Sequence, residues 1–147
     1  MNDDYFMQEA FREAEKGYHE SGIPIGSVLV HRNKIIGRGH NKRMQKGSVV
    51  LHGEMDALEN AGRQPASVYR ECTIYTTLSP CPMCSGAIRL YGIPRVVIGE
   101  NSTFLGDEKT LLEAGVKLVH MNHDGCKLLM QQFIEEKPEV WNEDIGE

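Results

Sequence analysis

The chain has 147 residues and a formal net charge of −5, with 40% hydrophobic and 25% charged residues. This length and composition are typical of a single globular domain, which we place over residues 1–147. Acidic and basic residues alternate along most of the chain, which argues against a nucleic-acid partner, and no apolar run approaches the roughly 18–20 residues of a membrane span. Because no export signal follows Met1 and the four cysteines fit reduced thiols, we expect a cytoplasmic protein.

The first half of the chain has the pattern of a helix, a hairpin and a second helix. Apolar residues at helical spacing follow Asn2 and Asp3, either of which can cap the first helix. Two short β-branched runs then flank a polar turn, as in a β-hairpin. We therefore predict a helix over 3–20, strands over 25–31 and 35–40, a loop over 41–48 and a helix over 51–61.

The second half of the chain alternates strands with helices. Pro82 suits the first turn of a helix, whereas Gly92 and Pro138 suit positions just after a helix ends. After a connector over 63–67 we predict strands over 72–77, 95–99 and 116–121, and helices over 81–91, 107–114 and 125–136. This order predicts an α/β protein, a three-layer α/β/α sandwich around a mixed sheet of about five strands.

Residues of the types that bind metals occur at the starts of two predicted helices. Cys81 and Cys84 are three positions apart on the later helix, so their sulfur atoms can converge. His52 stands at the start of the earlier helix. Zinc binds thiolates and imidazoles tetrahedrally, and three protein ligands leave one position for water. The sequence therefore predicts one catalytic Zn²⁺ per chain, bound by His52, Cys81 and Cys84.

Glu54 follows His52 closely enough for its carboxylate to reach a water on the metal. There it can take a proton from that water and deliver it to a ring nitrogen and then to a leaving amine. His-x-Glu followed by Pro-Cys-x-x-Cys is the signature of zinc-dependent base deaminases. The alternatives are a structural zinc site, or reduced core cysteines beside an unrelated histidine. No fourth Cys or His stands at zinc-ligand spacing, which weakens the structural alternative.

Stretches dispersed along the chain carry a resemblance to one family: 37–41, 45–48, 51–54, 75–81, 91–95, 98–101 and 141–147. In these stretches the chain resembles the fungal-type cytosine deaminases of the cytidine-deaminase superfamily. The resemblance implies the cytidine-deaminase fold, a homodimer and a small free base as substrate. It implies hydrolysis of cytosine to uracil and ammonia, by a zinc-bound hydroxide with Glu54 as the proton shuttle.

The resemblance also implies a set of substrate-binding residues. Aromatic faces suit a flat heterocycle, and polar contacts at its edge select which one binds. A C-terminal tail that closes over the site would leave little room for a ribose. The implied roles are the ring carbonyl for the Asn41 side chain and the Gly53 N–H, the amino group for the Ser79 carbonyl, a polar edge for Asp144, and the ring face for Phe104 and Trp141.

Other functions remain open at this point. Met44 stands where we expect a pocket-side aromatic residue in the fungal enzymes, so the base could instead be isocytosine or guanine. A tRNA adenosine deaminase shares the metal signature, but the net charge of −5 disfavours an RNA partner. A zinc-binding module without activity is the remaining alternative, and the intact Glu54 argues against it.

Overall fold

The computed structural model describes residues 2–147. In chain order the elements are α1 (Asp3–His19), β1 (Gly26–His31), β2 (Lys34–His40), α2 (Arg43–Lys46), α3 (Gly53–Ala61), α4 (Ala66–Tyr69), β3 (Cys72–Leu78), α5 (Pro82–Tyr91), β4 (Arg95–Glu100), α6 (Glu108–Glu113), β5 (Lys117–His120), α7 (Asp124–Glu136) and α8 (Pro138–Asp144). Every predicted strand and helix is present, with ends shifted by a few residues. Asn2 caps α1, because its side chain accepts a hydrogen bond from the backbone N–H of Tyr5 at 3.0 Å.

The five strands form one mixed sheet in the order β2-β1-β3-β4-β5. Strand β1 runs antiparallel to β2 and β3, whereas β3, β4 and β5 run parallel to one another. The predicted mixed sheet is therefore confirmed. Because β3 and β4 are parallel, their carboxyl ends meet at one edge of the sheet, where ligands bind in open α/β sheets.

Helices cover both faces of this sheet, which confirms the three-layer sandwich. On one face, β-strand residues such as Leu29 and Ile74 pack with Ile88 of α5 and Leu111 of α6. On the other face, Val28 and neighbouring strand residues pack with α1 and α7. The alternation of Val28 and Leu29 between the two layers follows from the two-residue period of a strand.

Three short helices lie outside the predicted elements. Helix α2 lies within the predicted loop 41–48, α4 overlaps the predicted connector 63–67, and α8 forms the C-terminal tail. Pro138 ends α7 as predicted, and it also begins α8, since proline suits a first helical turn. Segments this short have no periodicity of their own. Helix α8 is fixed by Trp141, which packs in a cluster with Ile25, Leu78 and Phe133.

The helices are too short or too polar to cross a bilayer. The longest, α1, has 17 residues and includes several charged side chains. None of the helices within residues 2–147 has the length and apolar character of a membrane span.

Candidate active site

The predicted metal ligands lie at the N-terminal ends of α3 and α5. His52 is the N-cap residue of α3, and Cys81 is the N-cap residue of α5. Both have extended backbones, so their side chains leave the chain just before the helices begin. Cys84 lies one turn into α5 and is fully buried. The partial positive charge of a helix N-terminus favours the thiolate form of such cysteines.

The geometry of these three side chains fits zinc. The Nδ1 atom of His52 lies 3.4 Å from the Sγ atom of Cys81 and 3.9 Å from that of Cys84. Ideal tetrahedral zinc places nitrogen and sulfur ligands about 3.6 Å apart. Among residues 2–147, no fourth His, Cys, Asp or Glu joins this group. The site therefore offers three ligands and keeps one coordination position for water, as in catalytic zinc sites.

The three predicted ligands have different protonation states when no metal is bound. Hydrogen bonds from Cys84 and His52, working against burial, lower the pKa of Cys81 to about 4. The hydrogen bond to Cys81, together with burial, raises the pKa of Cys84 well above its ordinary value. Burial disfavours a charge on His52, but hydrogen bonds to Asp144 and Cys81 outweigh it and raise the His52 pKa to about 10. At neutral pH, Cys81 is thus a thiolate, while His52 and Cys84 carry protons that a metal must displace.

We expect zinc binding at neutral pH to release about two protons, one from His52 and one from Cys84. The affinity for zinc should then fall about 100-fold for each pH unit of acidification in this range. Calorimetry of the metal-free protein in buffers of different ionisation enthalpy counts the released protons. The Cys84→Ala variant should release about one proton fewer. Binding without proton release would contradict this assignment.

Glu54 is buried beside the ligand group, with 3% of its surface exposed. Burial, together with the negative charge of Cys81, raises its pKa to about 7. A carboxyl group with this pKa can both take up and give away a proton near neutral pH, which is what general acid–base catalysis needs.

A small cavity lies directly over His52 and Glu54. Four of the predicted substrate residues line it, namely Ser79, Phe104, Trp141 and Asp144, together with Cys81, Ile25, Leu78 and Ile145. The rings of Phe104 and Trp141 meet edge to face, with centroids 5.8 Å apart. Trp141 and Asp144 belong to α8 and Ile145 directly follows it, so the C-terminal tail covers the cavity.

Asn41 and Gly53 are not among the residues that line this cavity, but each adjoins one that is: Asn41 contacts Asp144, and Gly53 stands between His52 and Glu54 in the chain. The Asn41 side chain is fully buried; its Nδ2 atom donates to Oδ1 of Asp144 at 3.0 Å, and its Oδ1 atom accepts from the N–H of Arg43 at 3.0 Å. One Nδ2 hydrogen and the second lone pair of Oδ1 of Asn41 are left for a ligand. Gly53 packs so closely on the Ile25 carbonyl that an added Cβ would lie 3.0 Å from that oxygen.

Asp144 contacts the protein more extensively than the sequence indicated. Its Oδ1 atom lies 3.4 Å from Nε2 of His52, on the side of the ring opposite to the ligand nitrogen. The same oxygen accepts hydrogen bonds from Asn41 and Arg43. Burial opposes ionisation of Asp144, but hydrogen bonds from His52 and Asn41 hold its pKa below the ordinary value. Asp144 is therefore placed to orient the imidazole of His52, and it also lines the cavity.

Arg43 is a site residue that the sequence analysis missed. Its guanidinium donates to the carboxylates of Glu143 and Asp144, and its Nε atom donates to the Ser48 carbonyl at 3.2 Å. The partners in the tail lie about a hundred positions along the chain, so no local pattern could reveal them. Arg43 thus fastens α8 over the cavity.

Replacing Arg43 with alanine should raise the KM for the substrate about tenfold, because the charged hydrogen bonds that hold the tail over the cavity are lost. The zinc content should stay unchanged, since Arg43 does not touch the ligands. Steady-state kinetics and metal analysis test this. Lys46→Ala removes an exposed cation from the same short helix and is the control; equal effects of the two substitutions would contradict the role of Arg43.

The expectation for Met44 is wrong. Its side chain is 48% exposed, and Met44 is not among the residues that line the cavity. It follows Arg43 in α2, and the side chain of Arg43, not that of Met44, turns towards the tail. The proposed reason for an altered base preference therefore disappears.

Comparison with known proteins gives consistent results. Residues 1–100 match the cytidine and deoxycytidylate deaminase zinc-binding region. Cytosine deaminase of Candida albicans is 59% identical over 142 residues, which cover 96% of this chain and 95% of that protein. A tRNA-specific adenosine deaminase of Streptococcus pyogenes is 42% identical, over 74% of this chain and 69% of that protein. The solved guanine deaminase of Nitrosomonas europaea superposes with a TM-score of 0.69 at 18% identity, covering 87% of this chain and 82% of that one, and so shares the fold.

Proposed function

Because the chain belongs to the cytidine and deoxycytidylate deaminase family, we propose that it is a zinc-dependent hydrolase that converts free cytosine to uracil and ammonia. The observation that carries this proposal is the small cavity over His52 and Glu54, which α8 closes. Because residues of the C-terminal tail cover this small cavity, it supports a single planar base as the substrate and leaves no place for an attached ribose. The match to the Candida albicans enzyme leaves only a few residues uncovered, so it extends into this tail.

His52, Cys81 and Cys84 would bind the zinc ion. When bound, zinc supplies a Lewis acid that lowers the pKa of a water molecule at the site. Glu54 takes a proton from that water and passes it to the ring nitrogen beside the reacting carbon, while the water oxygen bonds to that carbon. Glu54 then carries the remaining proton of this oxygen to the amino group, and the carbon–nitrogen bond breaks to release ammonia.

The cavity walls supply contacts that select the base. We assign the amino group to the carbonyl of Ser79, a residue that lines the cavity; this carbonyl has no hydrogen-bond donor among residues 2–147. The ring carbonyl pairs with the remaining Asn41 Nδ2 hydrogen and the Gly53 N–H. Asp144 faces the polar edge of the base, and Phe104 and Trp141 cover its ring. Edge contacts of this kind discriminate strongly, since a mismatched base leaves buried polar groups unpaired.

The experiment that tests this function is a comparison of ammonia release from cytosine, 5-fluorocytosine, isocytosine, cytidine, adenine and guanine. We expect turnover of cytosine, and little turnover of cytidine, because a ribose would collide with the closed tail. Activity on cytidine comparable to that on cytosine would contradict the closed cavity. Activity on guanine or isocytosine with cytosine inert would leave the deaminase chemistry and remove cytosine as the substrate.

We further propose that the protein is a cytoplasmic homodimer that has no nucleic-acid partner. All four cysteines are free thiols, as in a reducing compartment. Large apolar side chains are exposed on α5 and α6, the two helices that pack with Leu29 and Ile74 on one face of the sheet. They are Leu90 and Tyr91 on α5, and Leu112 on α6. Such side chains support an interface between two copies. Sedimentation showing only monomer at micromolar concentration would contradict the homodimer.

A further inference from the structure

The Ser79 carbonyl is useful to a deaminase only if its position is fixed. Ser79 follows the end of β3 and precedes Cys81 by two residues, so it lies between the sheet and the ligand helix. Its backbone N–H donates to the Glu100 carbonyl at 3.0 Å, which anchors one side of the residue. The carbonyl oxygen itself has no donor within the described chain, so no direct bond aims it at the cavity.

The side chain of Ser79 supplies the missing anchor. Its hydroxyl donates to the Oε2 atom of Glu108 at 2.5 Å and accepts from the N–H of Gly106 at 2.9 Å. The next residue is held from the same side, because the Pro80 carbonyl accepts from the N–H of Asp107 at 2.8 Å. The loop before α6 therefore clamps the turn that presents the Ser79 carbonyl.

Glu108 is the charged centre of this clamp. It is the first residue of α6 and only 8% exposed. Its other carboxylate oxygen lies 2.7 Å from Nε2 of His120, and the Nδ2 atom of Asn101 lies 3.3 Å from Oε2. Burying a carboxylate costs free energy unless several hydrogen-bond donors surround it. Hydrogen bonds to a charged acceptor are about twice as strong as those between neutral groups. The hydrogen bond between Ser79 and Glu108 is therefore stronger than the hydrogen bond that a serine hydroxyl would form with water.

We propose that Glu108 is a positioning residue for the deamination of cytosine: by holding the Ser79 hydroxyl, it sets the Ser79 carbonyl against the amino group of the substrate. Glu108 does not line the cavity and acts only through Ser79. The inference rests on the proposed function, since it assigns the amino group to that carbonyl. It adds a determinant of the selectivity for an amino-bearing ring.

The test compares Glu108→Ala, Ser79→Ala and the double variant with the wild-type protein. Each single variant breaks the same hydrogen bond, so each should lower kcat/KM for cytosine about tenfold. The double variant should lose no more than the more impaired single variant, because the two residues act on the substrate through one link. Glu108→Gln keeps an oxygen that can accept from the Ser79 hydroxyl and should recover most of the activity. Glu113→Ala removes an exposed carboxylate from the same helix and is the control.

A second ligand separates positioning from a general loosening of the loop. Pyrimidin-2-one is the same ring without the amino group, so its inhibition constant should change by less than about twofold in Glu108→Ala. Zinc content and the thermal midpoint confirm that each variant is folded. Equal losses for cytosine and pyrimidin-2-one, additive losses in the double variant, or a fully active Glu108→Ala would each overturn the inference.

The same experiment distinguishes this inference from the proposed function. A wild-type protein that does not release ammonia from cytosine refutes the function, and the role of Glu108 falls with it. A wild-type protein that deaminates cytosine, with a Glu108→Ala variant that is equally active, refutes the role of Glu108 alone.

Discussion

Replacing Glu54 with glutamine will slow ammonia release from cytosine by at least about 10³-fold, because the amide cannot carry the proton from water to the base. The change keeps the size and shape of the side chain. Glu54 is fully enclosed, so an amide there avoids the unfavourable burial of a carboxylate, and the thermal midpoint should not fall. Single-turnover kinetics at saturating cytosine measure the effect on the chemical step.

Metal analysis of the Glu54→Gln protein should still show one zinc per chain, since Glu54 is not one of the three grouped ligands. Glu59→Gln replaces an exposed carboxylate on the same helix, α3, and should behave like the wild type. A Glu54→Gln enzyme with wild-type turnover would remove Glu54 from the mechanism. Loss of zinc together with activity would assign Glu54 to the metal instead.

The second large effect is expected for Asp144→Asn, which should weaken zinc binding about 10–100-fold. The carboxylate holds Nε2 of His52 and so keeps the opposite nitrogen directed at the metal. Asparagine keeps the volume but lacks the charge that stabilises this arrangement. Competition with a zinc chelator, followed by metal analysis, measures the change in affinity.

Asp144→Asn also separates two roles of the tail. If Asp144 contacted only the substrate, the substitution would raise the KM for cytosine and leave the affinity for zinc unchanged. Glu143→Gln is the matched control, because Glu143 also pairs with Arg43 but its side chain is 62% exposed and does not touch His52. Equal zinc affinity in Asp144→Asn and Glu143→Gln would contradict the role of Asp144 in orienting the imidazole.

The sequence predicted the layered fold well because its elements have clear local periods. The alternation of strands and helices required the mixed sheet, and proline and glycine marked helix ends at Pro82, Gly92 and Pro138. Helix α8 was missed because a segment of seven residues is stable only when Trp141 packs against the rest of the protein.

The residues that contact one another around the site were harder to predict. The buried pair of Glu108 and Ser79, and the attachment of the tail by Arg43, join segments between 29 and 101 positions apart. A glutamate at the start of a short helix and an arginine in a polar stretch look locally like solvated residues. The prediction for Met44 was wrong for the converse reason: its side chain is apolar but exposed, whereas the side chain of the neighbouring Arg43 contacts the tail.

The sequence by itself determined the metal chemistry. His52, Glu54, Cys81 and Cys84 stand at the starts of two helices, and local helix geometry together with zinc's preference for thiolate and imidazole is enough to predict their roles. Only the tertiary structure decided which residues surround the cavity. The closed cavity, and the carboxylates that hold His52 and Ser79, depend on contacts between segments distant in the chain, which packing creates and no local pattern encodes.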